Sequence, residues 1–231
     1  MTPAFALEML ADGDVQRLSL RALHRPKFGA ICADWLTSDL ARRIAAGRKQ
    51  PLAKAIGLNK PRTPEDGPLR VLDATAGLGR DGFTVAMLGA HVSLLERNPT
   101  TCALLRDARV RALAAAGARA AAERIEILED DAATVMADPA NRSRWDVIYL
   151  DPMYPDDGKS ALPSKEMQLL RELTGGDADA DALLAPALAA AGRRVVVKRP
   201  SKAPPLDGRA PSLCFDGTQL RFDVYLCPFN A

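Results

Sequence analysis

Residues 73 to 82 read Asp-Ala-Thr-Ala-Gly-Leu-Gly-Arg-Asp-Gly: an acid, a turn spaced by Gly77 and Gly79, then residues able to start a helix, Arg80, Asp81 and Phe83 among them. Glycines let backbone N–H groups approach a ligand closely, and a helix start adds unpaired donors and the positive end of its dipole. A short apolar run, Val71-Leu72, precedes Asp73, so the order is strand, glycine turn, helix, the recipe for a cofactor cradle. Gly77-x-Gly79-x-x-Gly82 also spells the dinucleotide fingerprint, which leaves S-adenosylmethionine (SAM) and NAD as alternatives. Three further apolar runs end in acids, at Glu96, at Asp130-Asp131 and at Asp151. One acid after a strand is an ordinary helix cap. Four along one rim mark the carboxyl ends of strands, where open α/β sheets bind their ligands. Glu96 stands 19 residues after Gly77, close to the spacing of an acid that holds ribose hydroxyls. Asp131 follows the third strand, where it either meets an adenine edge or caps a helix from Ala132 onward.

Asp151-Pro152-Met153-Tyr154-Pro155 points to a reaction. It is a variant of the Asp/Asn-Pro-Pro-aromatic motif of enzymes that methylate exocyclic amines of bases, with Met153 in place of the second proline. An amine conjugated to a purine is a poor nucleophile because its lone pair is delocalised into the ring. The Asp151 carboxylate and the Pro152 carbonyl can accept its two N–H bonds and return electron density to nitrogen. Tyr154 would stack on the base, a contact worth about 1–3 kcal/mol, and the prolines stiffen the loop. In-line transfer of a methyl group needs chiefly positioning and exclusion of solvent. A chain with only His24 and His91 as histidines therefore lacks nothing for it.

These residues need a scaffold that gathers strand ends, and the apolar pattern supplies one. Val71-Leu72, Val92 to Leu95, Ile125 to Leu128, Val147 to Leu150 and Val195 to Val197 read as five strands. Between them lie helical stretches: about Arg80 to Leu88, about Pro99 to Ala116, and segments holding Leu169, Leu170, Leu173 and Leu183, Leu184, Leu188. Near-continuous apolar strands between helices imply a parallel sheet covered on both faces. The ending differs, since Ser212 to Phe215 and Leu220 to Leu226 form two strands with a turn and no helix between. A parallel sheet finished by an antiparallel hairpin is an α/β, Rossmann-like fold of the class I methyltransferase type, seven-stranded, assigned to residues 69–231.

Residues 1–68 form a small region and linker ahead of it. Phe5 to Leu23 suggest short strands or turns without a clean period, and a helical pattern sets in at Trp35. From Leu40 to Thr63 the charged residues are Arg42, Arg43, Arg48, Lys49, Lys54, Lys60 and Arg62, with no acid after Asp39 until Glu65. A solvated face normally mixes signs, so Arg42, Arg43, Arg48 and Lys49 are assigned to RNA phosphates. Lys159, Lys165, Lys198 and Arg199, which flank the base pocket in sequence, are assigned likewise. Pro61, Pro64, Gly67 and Pro68 mark the linker. A net charge of +2 confines nucleic-acid binding to such patches. Cys32, Cys102, Cys214 and Cys227 form no C-x-x-C pair, so reduced thiols are expected and no metal site. Acids at positions 8, 12 and 14 interrupt any signal-peptide core, and no uncharged run approaches a membrane span. A cytoplasmic protein without a membrane partner is expected, its oligomeric state left open.

The motifs also occur together in one family. Asp73-Ala-Thr-Ala-Gly-Leu-Gly-Arg-Asp81, Leu95-Glu-Arg-Asn-Pro99, Tyr149-Leu-Asp-Pro-Met-Tyr-Pro155, Lys159-Ser-Ala-Leu162 with Lys165-Glu-Met167, Arg194-Val-Val-Val-Lys-Arg-Pro200, Ala203-Pro-Pro-Leu206 and Arg221-Phe-Asp-Val-Tyr225 appear in order. In this the chain resembles the ribosomal RNA small subunit methyltransferase J family over about residues 29 to 226. The resemblance implies transfer of a methyl group from SAM to N2 of a guanine in 16S rRNA, with the small ribosomal subunit as partner. It further implies that Arg80, Asp81, Glu96, Arg97 and Asp151 are cofactor-contacting positions. Asp131 and Ala132 occupy a site where the family often carries small hydroxyl residues. Two rivals remain on the residues alone: an NAD-dependent oxidoreductase, from the literal glycine spacing, and an RNA-binding assembly factor that kept the fold without catalysis.

Overall fold

The computed structural model describes residues 4–61, 63–153, 164–176 and 180–227. It opens with β1 (Phe5–Asp12) and β2 (Val15–Ala22), paired antiparallel from Phe5 opposite Ala22 to Asp12 opposite Val15. These are full eight-residue strands, longer than the sequence pattern suggests. Their period is blurred because the hairpin is only partly covered, with Leu20 and Ala22 buried while Leu7, Met9 and Val15 are exposed. α1 (Ser38–Ala45) begins three residues after Trp35, under a Thr37 cap that accepts from the Leu40 N–H. α2 (Pro51–Ile56) starts on a proline and stops at Gly57, whose φ of 94° favours glycine.

The remaining elements are β3 (Arg70–Asp73), α3 (Arg80–Met87), β4 (His91–Glu96), α4 (Pro99–Ala114), α5 (Arg119–Glu123), β5 (Ile125–Glu129), α6 (Ala132–Ala137), β6 (Val147–Leu150), α7 (Lys165–Thr174), α8 (Leu184–Ala190), β7 (Arg194–Pro200), β8 (Leu213–Asp216) and β9 (Leu220–Leu226). Seven strands lie in the order β5-β4-β3-β6-β7-β9-β8. The strands from β5 to β7 run parallel, whereas β9 is antiparallel to both β7 and β8. Chain progression reverses on either side of β3, which makes its carboxyl end the crevice where such sheets bind ligands.

Strand alternation splits the core in two. Val71, Val92, Leu94, Val147 and Val196 join α3, α4 and α5 on one face, together with Leu20, Trp35, Leu52 and Ile56 from the first sixty residues. Leu72, Leu95, Ile148, Leu150, Val195 and Val197 pack on the other face with Met136 of α6 and Leu184 and Ala187 of α8. Each such aliphatic side chain contributes about 1.5–3 kcal/mol when fully buried. α3 lies so close to the sheet that a Cβ on Gly82 would stand 2.3 Å from Leu94 Cδ2. Among the described residues no helix is long and apolar enough to cross a membrane.

Candidate active site

Strands β3 to β6 release the chain along one rim, and a cavity of about 340 Å³ opens there, lined among others by Asp73, Gly77, Gly79, Glu96, Asp131 and Asp151. Gly77 and Gly79 hold φ values of 52° and 72°. A Cβ on Gly79 would come within 2.8 Å of Leu105 Cδ2 and 2.9 Å of Trp35 Cζ2. The turn is thus wedged from below, where the Trp35 ring stacks on Phe83 at 5.0 Å and its Nε1 donates to the Leu78 carbonyl at 2.9 Å. On the cavity side a Cβ on Gly77 would meet no protein atom within 4 Å, which leaves this backbone open to a ligand.

Glu96 closes the turn from the next strand, accepting from Gly77 N–H at 3.2 Å and Asn98 N–H at 2.8 Å. Asp131 accepts from the N–H and hydroxyl of Thr134 at 2.9 and 3.1 Å. It caps α6, the second of its two readings, and with Ala132 it lines the cavity. Arg80 pairs with Glu166 of α7 at 2.8 Å, and Arg97 donates to the Gly176 carbonyl at 2.9 Å. Both arginines therefore fasten the wall formed by α7 and the residues after it. Asp73, 2% exposed, accepts from Thr75 N–H at 3.4 Å. Burial, then the charges of Asp81 and Asp151, push its carboxyl well above the usual range.

The opposite side of the cavity is a charged net drawn from four elements. Lys198 of β7 donates to Asp151 Oδ2 at 2.7 Å and to Asp81 Oδ2 at 3.1 Å. Asp81 also accepts from the Tyr149 hydroxyl at 2.5 Å and pairs through Oδ1 with Arg43 of α1 at 2.5 Å. Burial alone would raise the Asp81 carboxyl, but Lys198, Arg43 and the Tyr149 hydroxyl bring it down to about 2. Asp151 follows β6, and its N–H donates to Thr75 Oγ1 at 2.6 Å, which ties the end of β6 to the glycine turn after β3.

The sequence-predicted residues are thus gathered selectively. Asp73, Gly77, Gly79, Arg80, Asp81, Glu96, Arg97, Asp131, Ala132 and Asp151 all line the cavity, joined by Arg43 and Lys198. Arg42 is exposed and pairs with Asp39, while Arg48 donates to the Leu88 carbonyl and Lys49 is exposed. Lys165 lies over the Phe28 ring at 5.4 Å. Arg199, next to Lys198 in sequence, is 5% exposed and donates to the Pro204 carbonyl, away from any surface where a phosphate could reach it. Tyr154 and Lys159 lie outside the described residues, as does Arg62. Tyr149, Thr75, Trp35 and Glu166 belong to the site although sequence reasoning singled out none of them. For Tyr149 the signal was present: it precedes Asp151 by two, and strand period places such residues on one face.

A family model described as "Putative SAM-dependent methyltransferase" matches residues 3–227. The chain is 48% identical over 220 residues to the ribosomal RNA small subunit methyltransferase J of Vibrio vulnificus, covering 91% of this chain and 83% of that protein. It is 46% identical over 214 residues to the protein of that name from Yersinia enterocolitica, covering 91% and 82%. Among solved structures it is similar to a SAM-dependent methyltransferase from Neisseria gonorrhoeae, with a TM-score of 0.72 and 33% identity over all of this chain and 86% of that one.

Proposed function

This chain belongs to the ribosomal RNA small subunit methyltransferase J family, SAM-dependent methyltransferases of class I fold, and on that footing we propose that it methylates the exocyclic N2 amine of a guanine in 16S rRNA. The observation that carries the reading is Asp151 at the cavity wall, bonded through its own N–H to the glycine-turn residue Thr75. That bond supports a role for the Asp151 carboxylate as amine acceptor beside the glycine turn.

The residues present suit SAM. An acid wall faces a ligand rich in hydroxyl and ammonium donors, and the open backbone at Gly77 admits close approach. SAM supplies an electrophilic methyl group on a sulfonium. Glu96 holds the ribose hydroxyls, Asp131 and Ala132 border the adenine, and the Gly77-Gly79 turn packs against the methionine part. Asp151 and the Pro152 carbonyl accept the two N–H bonds of the amine, with Tyr154 stacking on the base. A guanine in paired RNA must be extruded to reach them, which costs a few kcal/mol of unpairing. Arg42, Arg48, Lys49 and Lys165 meet RNA phosphates, whose contacts position the substrate and make binding depend on salt. The reaction belongs to the cytoplasm, where the small subunit is assembled.

The test is transfer of labelled methyl from SAM to small ribosomal subunits lacking their methylguanines, with Asp151→Ala as control. Label mapped to guanine N2 and lost in the variant is the expected result. Transfer at the wild-type rate by Asp151→Ala would sink the amine-orienting role.

A further inference from the structure

Lys198 does not face outward as a phosphate anchor would. Its side chain is 19% exposed, and its ammonium is shared between Asp151 and Asp81 at 2.7 and 3.1 Å. We propose that Lys198 is a positioning residue for methyl transfer: its ammonium clamps Oδ2 of Asp151 and so reserves Oδ1 as the acceptor for the substrate amine. The inference rests on the amine-orienting role of Asp151 given above.

Three observations support it. First, among the described residues no group hydrogen-bonds Oδ1 of Asp151, while Oδ2 is engaged. A carboxylate rotates about its terminal bond, so fixing one oxygen fixes the other. Second, the site concentrates negative charge. Asp151 is faced by Lys198 from β7, Asp81 from α3 and Arg43 from α1, with Asp73 of β3 and the Tyr149 hydroxyl of β6 in the same cluster. Burial drives the Asp151 carboxyl upward, and Lys198 is the largest influence opposing that. A protonated Asp151 would carry a donor where the amine needs an acceptor. Third, the clamp is itself held. Asp81 receives Arg43 on Oδ1 and shares Oδ2 between Lys198 and the Tyr149 hydroxyl, which fixes the second anchor of the ammonium. Burial would lower the Lys198 ammonium, but the two carboxylates raise it further, so it stays charged wherever the enzyme works.

The experiment compares the full chain with Lys198→Met, with Lys198→Gln in reserve should the first variant misfold. Methyl transfer is followed from about pH 5 to pH 9, and SAM binding is measured separately. In parallel the Asp151 carboxyl is titrated by carbon-13 NMR, assigned through Asp151→Asn, with neither cofactor nor RNA present. The expected result is a loss of turnover of about a hundredfold that persists at saturating SAM, as misplaced reacting groups show. The acid limb of the rate profile and the Asp151 titration both move to higher pH, and Lys198→Arg restores part of the rate. An unmoved Asp151 titration together with a raised KM for RNA would overturn the clamp and make Lys198 a phosphate contact. Wild-type enzyme that transfers nothing to guanine would defeat the substrate reading alone, because the NMR arm still decides the clamp.

Discussion

The two sides of the cavity solve the same problem differently. On the side of the glycine turn, residues 73 to 79 and 96 to 98 are close in sequence or on neighbouring strands, and the Asp73 and Glu96 carboxylates accept from backbone N–H donors. On the opposite side, Arg43, Asp81, Tyr149, Asp151 and Lys198 come from α1, α3, β6 with the residue after it, and β7, and the partly buried charges satisfy one another with help from the Tyr149 hydroxyl. Backbone donors tolerate change at the side chain they hold. A closed net of partly buried charges is less tolerant, because removing one member leaves the buried Asp81 or its neighbours without a counter-charge.

Three substitutions test that contrast. Glu96→Ala removes an acid from the cofactor side, where charge-assisted bonds contribute about 1.5–3 kcal/mol. SAM should bind about 10- to 150-fold more weakly, with turnover near wild type once SAM is saturating. An unchanged dissociation constant by calorimetry would remove Glu96 from the ribose site. Gly82→Ala probes the packing beneath both sides. The added methyl meets Leu94 Cδ2 at 2.3 Å, so unfolding in denaturant should show a loss of about 1–3 kcal/mol, typical of an overpacked core. No loss would mean that α3 slides along β4 at little cost.

Asp73→Asn has the smallest effect and the most telling sign. A carboxyl whose folded pKa is raised is harmless below its unfolded value of about 3.9 and costs stability as pH rises through the folded value. The amide does not titrate. The variant should match the wild type in acid and melt higher at neutral pH, by about 2–4 °C for each kcal/mol relieved, while binding SAM less well. Equal melting temperatures at about pH 4 and pH 8 would show that backbone donors already solvate the charge.

The contrast also explains what the sequence discloses. Asp73, the Gly77-x-Gly79-x-x-Gly82 spacing and Glu96 are legible because each is fixed by its own neighbourhood: a strand end, a left-handed turn, a close helix contact. The order of strands and the final hairpin are legible for a similar reason, since apolar runs and glycine turns are local signals. Arg43 and Lys198 read as RNA-phosphate contacts, because nothing near them in sequence reveals Asp81, which lies 38 residues from one and 117 from the other. Arg199 has the letters of a phosphate contact, yet strand alternation turns it away from Lys198 and buries it. Trp35 resembled the first residue of a helix, and only the fold shows it beneath Leu78.

That indole has a bearing on how the chain is made. The segment up to about residue 60 leaves the ribosome before the seven-stranded sheet, but Leu20, Trp35, Leu52 and Ile56 find their apolar partners in strands and helices synthesised later. The early hairpin can close on its own local pairing, whereas the segment around Trp35 must wait until Leu78, Phe83 and Leu105 have emerged to cover it. The glycine turn is therefore completed during biosynthesis by a piece of chain that precedes it and arrives unfinished.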